Sequence, residues 1–261
     1  MRKFLFHVFL VLFLLQLAPA QELTVAAAAD LNYALKDLVT QFQKKTGNPV
    51  TLSFGASGSL FAQIESGAPY DLFFSADEDY PKRLAAAGLV ESGSLRTYAV
   101  GHLVLWVSNL AGLDHDHLMD SPHLVADVLL QPSIKRIAIA NPQTAPYGRA
   151  AMSALEHLGV KEKVVGKLVY GENVSQAAQF VQSGNAHAGL ISLSLALSPS
   201  MKDSGRYWEL PADSYPELRQ SAVIVSASKH KKAAQAFLDY VTSADGAVVL
   251  RQYGFRLPDG R

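Results

Sequence analysis

Residues 50–75, VTLSFGASGSLFAQIESGAPYDLFFS, carry one complete unit of the fold. Residues 50–54 are a β-prone run. Leu60, Phe61 and Ile64 then share one face of a helix that Gly67 ends, and residues 71–75 form a second apolar run. A strand, a short amphipathic helix and a buried strand in this order predict parallel strands in a sheet covered by helices. The pattern continues in both directions. Upstream, residues 23–27 read as a buried strand. Leu31, Leu35, Leu38, Val39 and Phe42 then stripe a helix that Gly47 closes. Downstream, Pro81 and Gly88 bracket another short helix.

A long apolar, β-rich run over residues 98–107 is followed by a polar stretch, residues 108–122, that breaks the rhythm. A second set of units follows. Residues 136–140 lead into a helix with Ala151, Leu155 and Leu158 on one face. Residues 168–171 lead into one carrying Val174, Ala177, Phe180 and Val181, and residues 188–193 form the next strand. Residues 222–226 read as a last strand before a helix striped by Ala234, Phe237, Leu238 and Val241, ahead of Gly254. The expected fold class is α/β with two lobes, each a mixed sheet flanked by helices, and a ligand cleft between them. No internal repeat or low-complexity linker separates the lobes, so a chain that crosses between them twice is expected.

The N-terminus is set apart from this fold. Arg2 and Lys3 precede an apolar run over residues 4–15, and Ala18 and Ala20 sit where a signal peptidase reads small residues. A secretory signal peptide over residues 1–20, cleaved near Gln21, is expected. An uncleaved anchor is disfavoured because the run is shorter than the roughly 20 apolar residues that span a bilayer and contains His7. The chain has no cysteine, which excludes disulfides, thiolate metal ligation, a cysteine nucleophile and a lipidated N-terminal cysteine. Removal of Arg2 and Lys3 leaves 21 basic against 23 acidic residues in a mature chain of 241, so nothing advertises nucleic acid or an anionic membrane. A free periplasmic monomer is expected.

Four strand-to-helix junctions share a character: Ala28-Ala29-Asp30-Leu31-Asn32, Gly55-Ala56-Ser57-Gly58-Ser59, Ala145-Pro146-Tyr147-Gly148 and Glu172-Asn173-Val174-Ser175. Each places small or polar residues at a helix start, where amides are unpaired and the helix dipole favours negative charge. Taken singly they are ordinary caps. Four of them facing one cleft would make an anion site needing no lysine or arginine, Arg149 just behind the third being the one cation nearby.

The stretches VAAAADLNYAL (25–35), SFGASGSLFAQIESGAPYDLFFSAD (53–77), IANPQTAPYGRAAMSALEHLG (139–159), GENVSQAAQFVQSGNAHAGLI (171–191) and YGFRLP (253–258) resemble the periplasmic molybdate-binding proteins of the ABC-transport type. The likeness covers essentially the whole mature chain. It implies a type II periplasmic binding protein with a discontinuous domain I, residues 21–100 and 220–261, and a domain II, residues 101–219. It also implies a molybdate or tungstate ligand, no cofactor, no catalytic residue, and a membrane permease as partner. Carried over residue by residue, it assigns the oxyanion contacts to the Ser57 hydroxyl and amide with the Gly58 amide, to Tyr147, and to the Val174 amide. The junction at Ala29 and Asp30 joins them. Ser192 lies where some members use a tyrosine phenol, which Tyr147 could supply instead.

Asp30 departs from the family, whose best-known members carry serine there. A carboxylate about 4 Å from one like charge costs on the order of 4 kcal/mol at an effective dielectric of about 20. Three arrangements relieve this. The side chain caps its own helix and turns away, which is the expected one; or it is protonated in the complex; or the ligand carries the proton, which would favour a phosphate-like anion.

Two other function classes find less support. Gly55-Ala56-Ser57-Gly58-Ser59 resembles a hydrolase nucleophile elbow, but Ser59 stands where the motif has glycine, and no histidine sits in a partner motif. Asp114-His115-Asp116-His117, with His123 nearby, has metal-ligand residue types, but a solvated polar loop accounts for them better. No phosphate-binding or dinucleotide glycine loop is present. Lys229-His230-Lys231-Lys232 reads as a charged helix start that could belong to a docking surface.

Overall fold

The computed structural model describes residues 22–111 and 124–258. The expected signal peptide and the Asp114–His123 loop both lie outside the described residues. In the first lobe, β1 (Leu23–Ala28) leads through a 3₁₀ turn (Ala29–Leu31) into α1 (Asn32–Thr46). Next come β2 (Val50–Gly55), α2 (Ser57–Glu65), β3 (Leu72–Ser75), α3 (Asp79–Ala86) and β4 (Arg96–Gly101). The chain then enters the second lobe at β5 (Leu103–Ser108), followed by α4 (Leu124–Leu130), β6 (Ile137–Ala140), α5 (Pro146–His157), α6 (Lys161–Val164) and β7 (Leu168–Gly171). It continues through α7 (Val174–Gln182), β8 (Ala188–Ser192), α8 (Leu193–Ala196) and β9 (Gly205–Glu209). β10 (Leu218–Ile224), α9 (Lys231–Val241) and α10 (Ala244–Gln252) return to the first lobe.

Each lobe holds a five-stranded mixed sheet, in the orders β2-β1-β3-β10-β4 and β7-β6-β8-β5-β9. The strands β1, β2 and β3 are mutually parallel, as are β6, β7 and β8, and the strands added by the crossings run antiparallel. The expected helical faces are the buried ones: Leu35, Leu38, Val39 and Phe42 on α1 pack with Phe74, Phe237 and Leu238 under the first sheet. Gly47 ends α1 in the left-handed conformation at φ 74°, where a side chain would be strained.

The apolar run expected as one β segment over residues 98–107 is two strands. His102 separates them, and β4 pairs with β10 in one sheet while β5 pairs with β8 and β9 in the other. Hydropathy is continuous across a point where the chain changes sheets, because both strands are buried. The last strand begins at Leu218, earlier than residue 222, and the polar Gln220 and Ser221 within it are buried, at 0% and 1% exposure. Strand β9, Gly-Arg-Tyr-Trp-Glu, went unforeseen because an edge strand with few buried residues carries no apolar alternation, and Phe180, expected inside, is only partly buried. No helix among the described residues is long and apolar enough to cross a membrane.

Candidate functional site

All four junctions line one small, nearly closed cavity at the carboxyl ends of β1, β2, β6 and β7, between the lobes. That is where open α/β sheets place ligands. Ala29, Asp30, Ser57, Tyr147 and Val174 all contribute to its wall.

The amides explain the arrangement. Ala56, with φ −70° and ψ 138°, is an extended lead-in that makes Ser57 the first residue of α2. Ala145 and Pro146 do the same for α5, proline being suited to a first turn. On α7, the Asn173 side chain accepts from the amides of Ser175 at 3.0 Å and Gln176 at 3.1 Å, which leaves the first amide, that of Val174, uncapped. Among the described residues, no acceptor takes the amides of Ser57, Tyr147 or Val174. Three first-turn N–H groups from three helices thus border one buried cavity, with no lysine or arginine in its wall. The Ser57 hydroxyl, 1% exposed, accepts from the Ala76 amide at 3.0 Å, which leaves its proton to donate.

Two expected contacts fall elsewhere. The Gly58 amide is spent across the cleft on the Thr144 carbonyl at 2.8 Å, because the lobes are in contact there. Ser192 is fully buried beside Ser194, 3.0 Å between hydroxyls, and lies outside the cavity wall. The lobes also meet where Arg149 Nη2 pairs with Asp77 Oδ2 at 2.6 Å and its Nη1 reaches the Tyr80 hydroxyl at 3.3 Å. The cation behind the third junction is therefore matched by a carboxylate of the opposite lobe.

The Asp30 side chain does not cap its helix. It sits inside the 3₁₀ turn, whose extended lead-in is Ala28, and makes no side-chain cap hydrogen bond. Instead its Oδ2 accepts from Gln220 Nε2 at 2.6 Å, while the Gln220 Oε1 lies 2.8 Å from the Tyr98 hydroxyl. The Tyr147 hydroxyl stands 3.4 Å from the same Gln220 nitrogen. Gly101, at the end of β4, makes room for this: a Cβ there would fall 2.2 Å from the Tyr147 hydroxyl and 2.6 Å from Gln220 Nε2. Gln220 holds the site together from a crossing strand. Its signal in the sequence was an amide in the strand run Gln220-Ser221-Ala222-Val223, where a buried polar side chain needs a partner.

Burial pushes the Asp30 carboxyl up to about 6, and the donors Gln220 and Tyr147 only partly offset it. Between the ordinary carboxylate range and about pH 6 the folded protein holds a proton on Asp30 that the unfolded chain has released. The residue's contribution to stability therefore declines as pH rises through that window. Burial likewise raises the Tyr147 and Tyr98 hydroxyls well above their ordinary value, so both remain protonated donors.

Two lobes thus border one small, donor-lined cavity with no lysine or arginine in its wall, the arrangement of a solute-binding protein. Residues 23–256 match the family of bacterial extracellular solute-binding proteins. The molybdate-binding protein ModA of Azotobacter vinelandii is 40% identical over 240 residues, 92% of each chain, and that of Rhodobacter capsulatus is 37% identical over 91% of this chain and 89% of its own. The solved structure of the Azotobacter vinelandii periplasmic molybdate-binding protein superimposes with a TM-score of 0.79 and 35% identity, covering 91% of this chain and 100% of that one. The chain belongs to the bacterial extracellular solute-binding protein family, and it binds solute rather than catalysing a reaction.

Proposed function

We propose that this chain is the periplasmic receptor of an ABC importer for molybdate or tungstate, acting as a monomer that hands its ligand to a membrane permease. The observation that carries this reading is the set of three unbonded amides, Ser57, Tyr147 and Val174, around one cavity without a basic side chain. A tetrahedral oxyanion held by directional donors replaces its hydration shell there, and the size of the cage selects among anions. The relatives named as molybdate-binding proteins support the choice of anion. The Ala29–Asp30 junction completes the wall, and the Ser57 and Tyr147 hydroxyls add donors.

Domain I, residues 21–100 and 220–261, and domain II, residues 101–219, would close as two bodies about β4 and β10. The sheet change at His102 and the return at Leu218 support those limits to within a few residues. Export would remove residues 1–20 and leave Gln21 at the N-terminus. A second reading, a phosphate-like protonatable anion, is favoured by one observation: Asp30 Oδ1 is buried without a hydrogen-bond partner of good geometry. Titration calorimetry of the mature protein with molybdate, tungstate, sulfate, phosphate and chromate tests the choice. Binding of molybdate and tungstate at least about 100-fold tighter than sulfate or phosphate is expected, a gap of about 2.7 kcal/mol. A preference for phosphate or sulfate overturns it.

A further inference from the structure

We propose that Asp30 serves in the loaded site as a protonated donor, so that each oxyanion is captured together with one proton. This rests on the oxyanion reading above and says how a site with a carboxyl in its wall can hold a dianion. Three features of the structure lead to it. Asp30 lines the cavity at 1% exposure, and its two carboxyl oxygens are unlike: Oδ2 is held by Gln220 Nε2 at 2.6 Å, while Oδ1 is buried without a partner of good geometry. Gln220 is itself fixed by the Tyr98 hydroxyl at 2.8 Å, so the carboxyl cannot turn to satisfy both oxygens from the hinge. An orphaned carboxyl oxygen on a residue that lines a cavity bordered by amide donors cannot accept from an anion but, carrying a proton, can donate to it.

The other groups around Asp30, the Tyr147 hydroxyl and the Asp30 and Leu31 amides, favour the carboxylate but by less than burial opposes it. Tyr147 faces it from α5 and Tyr98 from β4, both neutral through burial, and Gln220 faces it from β10. From α8, the Ser194 hydroxyl bonds the Asp30 backbone carbonyl at 2.7 Å. No cation contributes to the state of the carboxyl, and the nearby Arg149 is engaged by Asp77. Burial, net of these hydrogen bonds, pushes the carboxyl up to about 6, and a dianion in the same cavity pushes further in the same direction. In balance, ionised Asp30, a dianion and one proton from solvent give the complex of carboxylic acid and dianion, with no bond made or broken elsewhere.

The test is calorimetric titration of the mature protein with sodium molybdate, in pairs of buffers with different ionisation enthalpies, near pH 8 and near pH 5. Near pH 8 the wild type is expected to take up about one proton per anion. The uptake falls toward zero near pH 5, where Asp30 is protonated beforehand, and affinity weakens about tenfold per pH unit above the titration of the free protein. Asp30→Asn, whose amide imitates the protonated acid, is expected to bind near pH 8 at least as tightly as wild type, with no proton uptake and a flat pH profile. Asp30→Ser is the second variant should the asparagine fold poorly, and it too should bind without uptake. Tight binding by wild type near pH 8 with no proton uptake overturns the proposal while leaving the oxyanion receptor intact. Uptake that persists in both variants also overturns it, because the proton then goes elsewhere. Failure to bind molybdate, tungstate, sulfate or phosphate at either pH overturns the receptor reading and the proposal together.

Discussion

Replacement of Val174 by proline is expected to weaken molybdate binding about ten- to 150-fold and to leave the fold in place. The factor corresponds to loss of one hydrogen bond to a charged group, about 1.5–3 kcal/mol. Val174 is the first residue of α7, where proline fits the helix and its missing N–H removes no intrahelical bond. The preceding Asn173, at φ −142° and ψ 176°, already has the extended backbone that a following proline demands. Its side chain would go on capping Ser175 and Gln176. The substitution thus deletes one amide from the cavity wall and little else. Val174→Ala, which trims the same side chain but keeps the amide, is the control and should stay within several-fold of wild type. Calorimetric affinities, with circular dichroism to verify the helix, check both. Equal losses in the two variants would mean that packing, not the amide, was responsible.

The second large effect should come from Gly58→Ala, which opposes closure rather than contact. A Cβ on Gly58 would lie 2.8 Å from the Thr144 carbonyl oxygen of the opposite lobe and 2.5 Å from the Tyr80 hydroxyl. Tyr80 can move aside, being the end of a flexible side chain, but the Thr144 carbonyl is backbone. The same carbonyl receives the Gly58 amide at 2.8 Å, so the bond and the clash concern one contact. Overpacking of this kind costs about 1–3 kcal/mol, and here it falls on the closed form. Affinity should drop about five- to 150-fold, with the thermal midpoint of the ligand-free protein little changed. Small-angle scattering with saturating molybdate should then find the variant more open than wild type. A variant that closes and binds as wild type does would remove Gly58 from any part in closure.

Much of this arrangement was legible in the sequence because the physics was local. Helix starts announce themselves through small and polar residues after an apolar run, and all four junctions proved to face one cavity. The stripe on α1 and its Gly47 stop were equally local. What escaped depended on contacts distant in sequence. The Gly58 amide is consumed by Thr144, far along the chain and in the other lobe. Ser192 was placed near the ligand by family likeness alone, and the turn into α8 buries it against Ser194 instead. Asp30 is a favoured cap residue, yet one extra 3₁₀ turn moved it off the cap position and against Gln220, a partner 190 positions away. Gln220 was visible only as a polar residue in an apolar strand. The sheet change at His102 left no mark in hydropathy, since the strands on either side are both buried.

The reading as an oxyanion receptor stands or falls most directly on where the anion sits. Crystals of the mature protein grown with tungstate, measured at a wavelength where tungsten scatters anomalously, would locate it without reference to the protein density. The expected result is one strong tungsten peak in the cavity between the lobes, its oxygens within about 2.7–3.2 Å of the Ser57, Tyr147 and Val174 amide nitrogens. Tungsten found only at surface lysines or arginines, or at a site that does not include these three amides, would contradict it.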